Sequence, residues 1–322
     1  MKWLYSVLLL PAIWLLVACG AAVPTGPQAT DLKAIKVDDA ALDSSASFWA
    51  NAPKLQVATK AVREGHPDGS TVTLQAAYDA DNLVIRAEWA DPTNSNFKDA
   101  WKWDGSAFTR VKANEDRLMY LWSIGNDAQF ASKGCAAVCH NQDPDEKTWW
   151  MGTENPDLRY DIWQWQAART NPLNQASDEW LGARPDEKSK ARRVDDRESG
   201  GAALNRNEEK TAPAFMHSTD LTSPYLVAGQ ETPIDSAKLT ADILVPGYLL
   251  SPFVGSAGDI SAQGQWADDK WVVVLSRALN TGHEDDVTLT PPKPVPFGLS
   301  IADDAGDANH TVSQEALILE WQ

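Results

Sequence analysis

Cysteine is scarce in this chain. Three occur in 322 residues, at positions 19, 135 and 139. A structural zinc site needs four ligands at recognisable spacing, and no such set stands out around them. Basic residues are also in deficit: 28 Lys and Arg stand against 45 Asp and Glu, for a formal net charge of −17. That field argues against nucleic acid or an anionic lipid face as a partner, and it suits docking to a basic protein surface. Helical periodicity is scarce, and no internal repeat is evident. The apolar run from Leu4 to Leu16 is interrupted by Pro11 and is too short for a membrane span.

That run belongs to a targeting signal. Lys2 supplies a positive start, and Leu16-Val17-Ala18-Cys19-Gly20 resembles a bacterial lipobox. The pattern predicts a lipoprotein signal peptide over residues 1–18, with Cys19 acylated as the first mature residue. A flexible tether is expected over 19–36, rich in Ala, Pro, Gly and Thr as far as Thr30. The expected location is an exported, membrane-anchored lipoprotein facing the periplasm or the cell exterior. An ordinary cleaved signal with an incidental cysteine is the alternative.

With Cys19 lipidated, Cys135 and Cys139 remain as a pair. An exported protein seldom leaves two close thiols free. They stand in Cys135-Ala-Ala-Val-Cys139-His140. Two sulfurs can make thioethers with haem vinyl groups while the neighbouring imidazole ligates the iron. The unit therefore predicts one covalently attached haem c. Three residues between the cysteines, rather than two, is the rarer form. A disulfide is the alternative, although it leaves His140 unexplained.

His140 is the expected proximal metal ligand. For the sixth position the first choice is Met151, in a loop beside Gly152; Met216, His217 and His310 are the alternatives. A thioether would raise the potential and a second imidazole would leave it lower. Met119 reads as core in an alternating strand. Fifteen tryptophans suggest either a ring-stacking surface or a core built around a large aromatic ligand. Trp149, Trp150, Trp163 and Trp165 follow the cysteine motif and are candidate haem walls, with ordinary sandwich core as the alternative. Arg169 and Arg110 are candidates to pair with the haem propionates.

The body of the chain reads mainly β. Thr71 to Tyr78 alternates, with Val72, Leu74, Ala76 and Tyr78 on one face. Leu83 to Trp89 alternates again, with Leu83, Ile85, Ala87 and Trp89 inward, so the two form a hairpin across Asp79–Asn82. Further strands are expected at 117–124, 161–168, 238–244, 270–279, 295–302 and 315–321. Residues 37–322 are expected to make a single antiparallel β-sandwich with long loops. Residues 182–212, dense in charge and poor in apolar side chains, are expected to be a mobile surface loop.

Several segments together resemble the haem-binding domain of the ethylbenzene dehydrogenase and dimethylsulfoxide-reductase-like γ-subunit family, also described as cytochrome c-552-like. They are Val84 to Thr93, Asp116-Arg-Leu, Gly134 to His140, Asp161 to Arg169, Gly255 to Ile260, Lys270 to Thr281, and Ile301 to Asp304 with His310. The resemblance covers residues 38 to 322 and rests on the order of these pieces. It implies a β-sandwich holding one haem, working beside a molybdenum enzyme or a respiratory chain. The family's γ-subunits hold haem b without covalent links, so the cysteine pair places this chain with the c-type branch.

The expected function is an extracytoplasmic monohaem c-type cytochrome, transferring electrons to or from a respiratory or molybdenum-oxidoreductase partner rather than acting as an enzyme. The alternative, from a different class, is a carbohydrate-binding β-sandwich lipoprotein. There Cys135 and Cys139 form a disulfide and tryptophan faces stack on sugars. A haem enzyme would need a positioned acid or base at an open distal site, and nothing pairs with the motif in that way.

Overall fold

A computed structural model describes residues 30–125, 127–134, 152–153, 155, 157–182, 194–195, 199–306 and 309–322. The fold is mainly β, with one short α-helix, Ala128–Lys133, among the described residues.

The hairpin forms as expected. Val72–Tyr78 pairs antiparallel with Asn82–Ala90, from Val72 opposite Trp89 to Tyr78 opposite Leu83. Asp79 closes the turn, its Oδ1 accepting from the N–H groups of Asp81 and Asn82 at 2.8 Å each. Lys270–Ala278 then pairs with 82–90 along its whole length. Ile260–Ala267 joins it through Asp268-Asp269, both at positive φ (52° and 56°). Two left-handed residues match the twist a two-residue hairpin needs, and Asp tolerates that region better than most side chains.

The order continues through Gln175–Leu181, Arg159–Gln166, Arg117–Ile124 and Val295–Ala302 to Leu317–Trp321. Asp31–Lys36 lies between Leu317–Trp321 and Val72–Tyr78 and runs parallel to both. The sheet thus returns on itself as a flattened, barrel-like sandwich. Its joins at 175–176 with 260–261 and at 295–297 with 317–319 span only two and three residue pairs. The expected sandwich is found, but it is not wholly antiparallel, because the first described strand is inserted parallel.

Closing the sheet gathers the inward residues into one core. Leu74, Ile85, Tyr120, Trp122, Trp163, Trp165, Val273 and Phe297 are among its fully buried members. The rings touch one another: Trp122 stacks on Phe297 at 4.8 Å, and Trp165 meets Trp271 edge-on at 4.9 Å. A second cluster of Ala40, Trp49, Ala52, Ala77, Val84 and Val274 covers the opposite face of the hairpin. That explains why Gln75 is buried there, its amide donating to the Trp49 and Ala52 carbonyls at 2.7 and 2.9 Å.

Three further expectations differ from the structure. Asp31–Lys36, expected as the end of the 19–36 tether, is a strand held by backbone pairing on both sides. Residues 238–244 do not form one strand. Asp235 caps a short 3-10 turn at Ser236–Lys238, Asp242 sits at φ 69°, and only Leu244–Val245 pairs with a neighbour. Likewise the charged stretch is not all loop. Ser199–Leu204 is a strand against Tyr248–Val254, and Asn205 behind it is buried, accepting from Ala214 and Phe215 N–H at 3.1 and 3.0 Å. Backbone pairing, not apolar side chains, holds this strand. At Gly200 a Cβ would overlap the Pro252 carbonyl oxygen, so the close approach requires glycine. Val194–Asp195 also pairs antiparallel with Gln175–Leu181, and residues 183–193 and 196–198 lie outside the described residues.

Candidate functional site

Cys19, Cys135, Cys139, His140, Trp149, Trp150 and Met151 lie outside the described residues. The other candidates can be placed, and they do not converge. Trp163 and Trp165 are fully buried and packed ring to ring within the core. Met216 is sealed in a separate small cluster with Trp101 and Val245. His217 closes a local turn, its Nδ1 accepting from Asp220 N–H at 2.9 Å. His310 is buried just before the short strand Thr311–Ser313. Met119 Sδ accepts from the Gln164 amide at 3.1 Å. Arg169 donates to Glu115 at 2.6 Å and lies over Tyr248, while Arg110 lies over Trp101.

A haem requires open space against flat walls with axial donors facing it. Trp163 and Trp165 fill the core against other rings, and of the described axial alternatives Met216 and His217 share the short strand Phe215–His217 while His310 lies on a different segment. The described candidates thus form no haem pocket among themselves, while Cys135, Cys139, His140 and Met151, on which that expectation chiefly rests, lie outside the described residues.

One open cavity does stand out, a cleft of about 580 Å³ at one end of the sandwich. Three pieces of chain form it. The end of Arg117–Ile124 contributes Ser123 and Ile124, the helix start contributes Asp127, Ala128 and Ala131, and the connection after Lys270–Ala278 contributes residues 283 to 296. Ile124, Val287 and Pro294 to Pro296 give apolar wall. Asp127, Glu284, Asp286, Thr288, Thr290 and Lys293 give polar groups. That mixture is the usual make-up of a small-ligand site, and the volume is in the usual range.

Two of the carboxylates are anchored. Asp127 caps the helix, its Oδ1 accepting from Gln129 N–H at 2.9 Å, and its Oδ2 accepts from the Tyr160 hydroxyl. Asp286 accepts from the Thr281 hydroxyl at 2.5 Å. Burial, partly opposed by Arg277, pushes its carboxyl up to about 6.

Beneath Asp286 lies a buried ionic cluster. Arg277 donates to Asp161 at 2.5 Å, with Asp178 at 3.4 Å and Asp286 at 3.9 Å. Burial and the neighbouring Asp161 charge push Asp178 well above the usual carboxylate range. The three carboxylates could hold a metal ion by spacing alone, but the guanidinium already supplies the positive charge among them. The cluster therefore reads as a rigid floor to the cleft.

The sequence reading missed this cleft. Its signal was the connection between Ala278 and Val295, rich in Pro, Thr and acidic residues and too long for a simple hairpin.

Fold and cleft together define a β-sandwich domain with a ligand-sized pocket at one end. The family model described as ethylbenzene dehydrogenase matches residues 46–313, and the chain belongs to that family. No curated protein sequence matches it. A solved structure described as a "putative carbohydrate-binding protein" from Bacteroides uniformis superposes with a TM-score of 0.38 at 8% identity, covering 91% of this chain and 99% of its own. A family 9 carbohydrate-binding module from Caldicellulosiruptor kristjanssonii, in complex with glucose, gives 0.38 at 7% identity, covering 91% and 95%. The same organism's module with cellotriose gives 0.33 at 9%, covering 91% and 93%.

With Trp163 and Trp165 closed into the core and the open cleft lined by none of the candidate haem residues, the expectation of an electron-carrying monohaem cytochrome is corrected. Trp163 and Trp165, candidates for haem walls or for ordinary sandwich core, are core.

Proposed function

We propose that this protein is a carbohydrate-binding β-sandwich module that holds a saccharide in the cleft at the end of the sandwich. The observation that carries the reading is the cleft's composition. A sugar ring presents an apolar C–H face and a rim of hydroxyls. Pro294, Pro296, Val295 and Ile124 suit the first; Glu284, Thr288, Thr290 and Lys293 suit the second. The contact faces are prolines and aliphatic side chains rather than tryptophans.

Two carboxylates of the cleft are already engaged within the fold. Asp127 is committed to the helix cap and Tyr160, and Asp286 to Thr281 and Arg277. On this reading Cys135 and Cys139 form a disulfide, and Cys19 carries lipid that tethers the module at the outer face of a membrane. A covalent haem on the cysteine pair is the competing proposal, and the mass of the mature chain separates the two.

The test is calorimetric titration of the full chain with neutral oligosaccharides. Glu284→Gln and Lys293→Ala are each expected to weaken binding roughly 10-fold to 100-fold, as loss of a hydrogen bond to a charged group does. Absence of saccharide binding across a broad panel would overturn the reading.

A further inference from the structure

A second carboxylate cluster lies away from the cleft. Asp91 follows the strand Asn82–Ala90, Asp116 precedes Arg117–Ile124, and Asp303 follows Val295–Ala302. One oxygen from each lies within 4.8 Å of the others. Asp91 and Asp116 are buried, at 1% and 0% exposure, and Asp303 sits on the solvent rim.

The hydrogen bonding leaves a gap. Asp116 Oδ1 accepts from Asp304 N–H at 3.0 Å, and its Oδ2 accepts from Ser95 N–H and the Trp271 indole at 2.8 and 2.9 Å. Asp91 Oδ1 accepts from Thr93 N–H at 3.0 Å and from the Thr93 hydroxyl at 3.2 Å. The Oδ2 of Asp91 accepts no hydrogen bond of normal length although it is sealed from solvent, the Trp89 indole being the donor nearest this carboxylate. Among the described residues, no Lys or Arg pairs with any of the three carboxylates. This separates them from the cluster around Arg277, where a guanidinium neutralises the charge. A buried, unpaired acceptor beside two further carboxylates is costly unless a cation completes it.

We infer that Asp91, Asp116 and Asp303 bind a calcium ion that ties three strand ends together. The donors are all oxygens. Ligands at about 2.3–2.6 Å from calcium stand within roughly 5 Å of one another, and the spacing here obeys that limit. Asp303 on the rim leaves room for the waters that calcium accepts in a flexible shell of 6–8 ligands, roughly. Magnesium wants a tighter octahedral set and dehydrates reluctantly, so it suits the site less well. The ion would neutralise the buried charge. It would also fix the 91–99 segment, which Asp116 already holds through Ser95.

The experiment uses the full chain stripped with chelator and titrated with calcium chloride, read by calorimetry and by thermal unfolding. One ion per chain is expected, with a dissociation constant between about 10 µM and 1 mM, and a rise in melting temperature. Magnesium should give a smaller rise. Asp303→Asn, on the rim, should fold normally and weaken calcium binding at least about tenfold. Asp91→Asn should lose the calcium-dependent rise in melting temperature, with calcium binding read at low temperature where the folded state persists. Absence of a calcium-dependent shift in the wild-type chain, or an equal shift in Asp303→Asn, would overturn the assignment. Saccharide binding at the distant cleft is read separately, so either result stands alone.

Discussion

Arg277 donates to Asp161 at 2.5 Å, and both side chains are sealed from solvent. The same guanidinium lies 4.6 Å from the Trp163 ring centroid, so one cation joins the aromatic core to the floor of the cleft. Removing it would strand Asp161, Asp178 and Asp286 without a counter-charge. Arg277→Leu is expected to destabilise the fold by about 3–5 kcal/mol. Urea unfolding measures this as a lowered midpoint at unchanged slope. A change below about 1 kcal/mol would contradict the role assigned to the cluster.

Trp165 is packed against Trp89 and Trp271, with its Nε1 donating to Asn171 at 3.2 Å. Trp165→Ala should lower stability by about 3–5 kcal/mol through lost burial and an unfilled cavity. Saccharide affinity of the folded fraction should stay within about twofold. A large loss of affinity at full stability would mean that this ring faces a ligand.

Asp286 gives a pH signature. Burial holds its carboxyl at about 6, above the ordinary 3.8. The folded chain therefore keeps a proton that the unfolded chain has already released between pH about 4 and 6. This group's contribution to stability falls as pH rises through that window and levels off above it. Asp286→Asn has no such titration. Relative to wild type, the variant should gain about 1–2 kcal/mol between pH about 4 and 7, a figure reduced for solvent screening. Parallel stability curves for the two proteins would contradict the shift.

Much of the β framework was legible because its strands alternate. Val72, Leu74, Ala76 and Tyr78, like Leu83, Ile85, Ala87 and Trp89, are all buried as their spacing required. The bounds of Arg117–Ile124 and Val295–Ala302 follow the same pattern. The parallel insertion of Asp31–Lys36 was not legible, since strand direction depends on partners far away in sequence. Ser199–Leu204 was missed because backbone bonds and Gly200 hold it, not apolar side chains. The cleft was missed for a related reason: its residues come from three separated segments, and none carries a motif. The cysteine motif drew attention to the nearby Trp163 and Trp165, but neighbours in sequence proved to be core in space.

The mature chain carries its own chemical record. The carbohydrate-binding account predicts an intact mass two hydrogens below the reduced polypeptide, from a Cys135–Cys139 disulfide, plus lipid at Cys19. Replacing Cys19 with Ser should move the protein from the membrane fraction to the soluble fraction. A mass increased by a haem group, made in a host competent to attach one, would contradict the disulfide.

The cleft itself is tested most directly by filling it. Ala131 is exposed on the helix and lines the cavity. Ala131→Trp would place a large ring in the space proposed for the sugar while leaving the core untouched. Calorimetric titration with the best-binding oligosaccharide should show at least about a tenfold loss of affinity, with the melting temperature unchanged. Undiminished binding by this variant would contradict a saccharide seated between the helix start and the 283–296 connection.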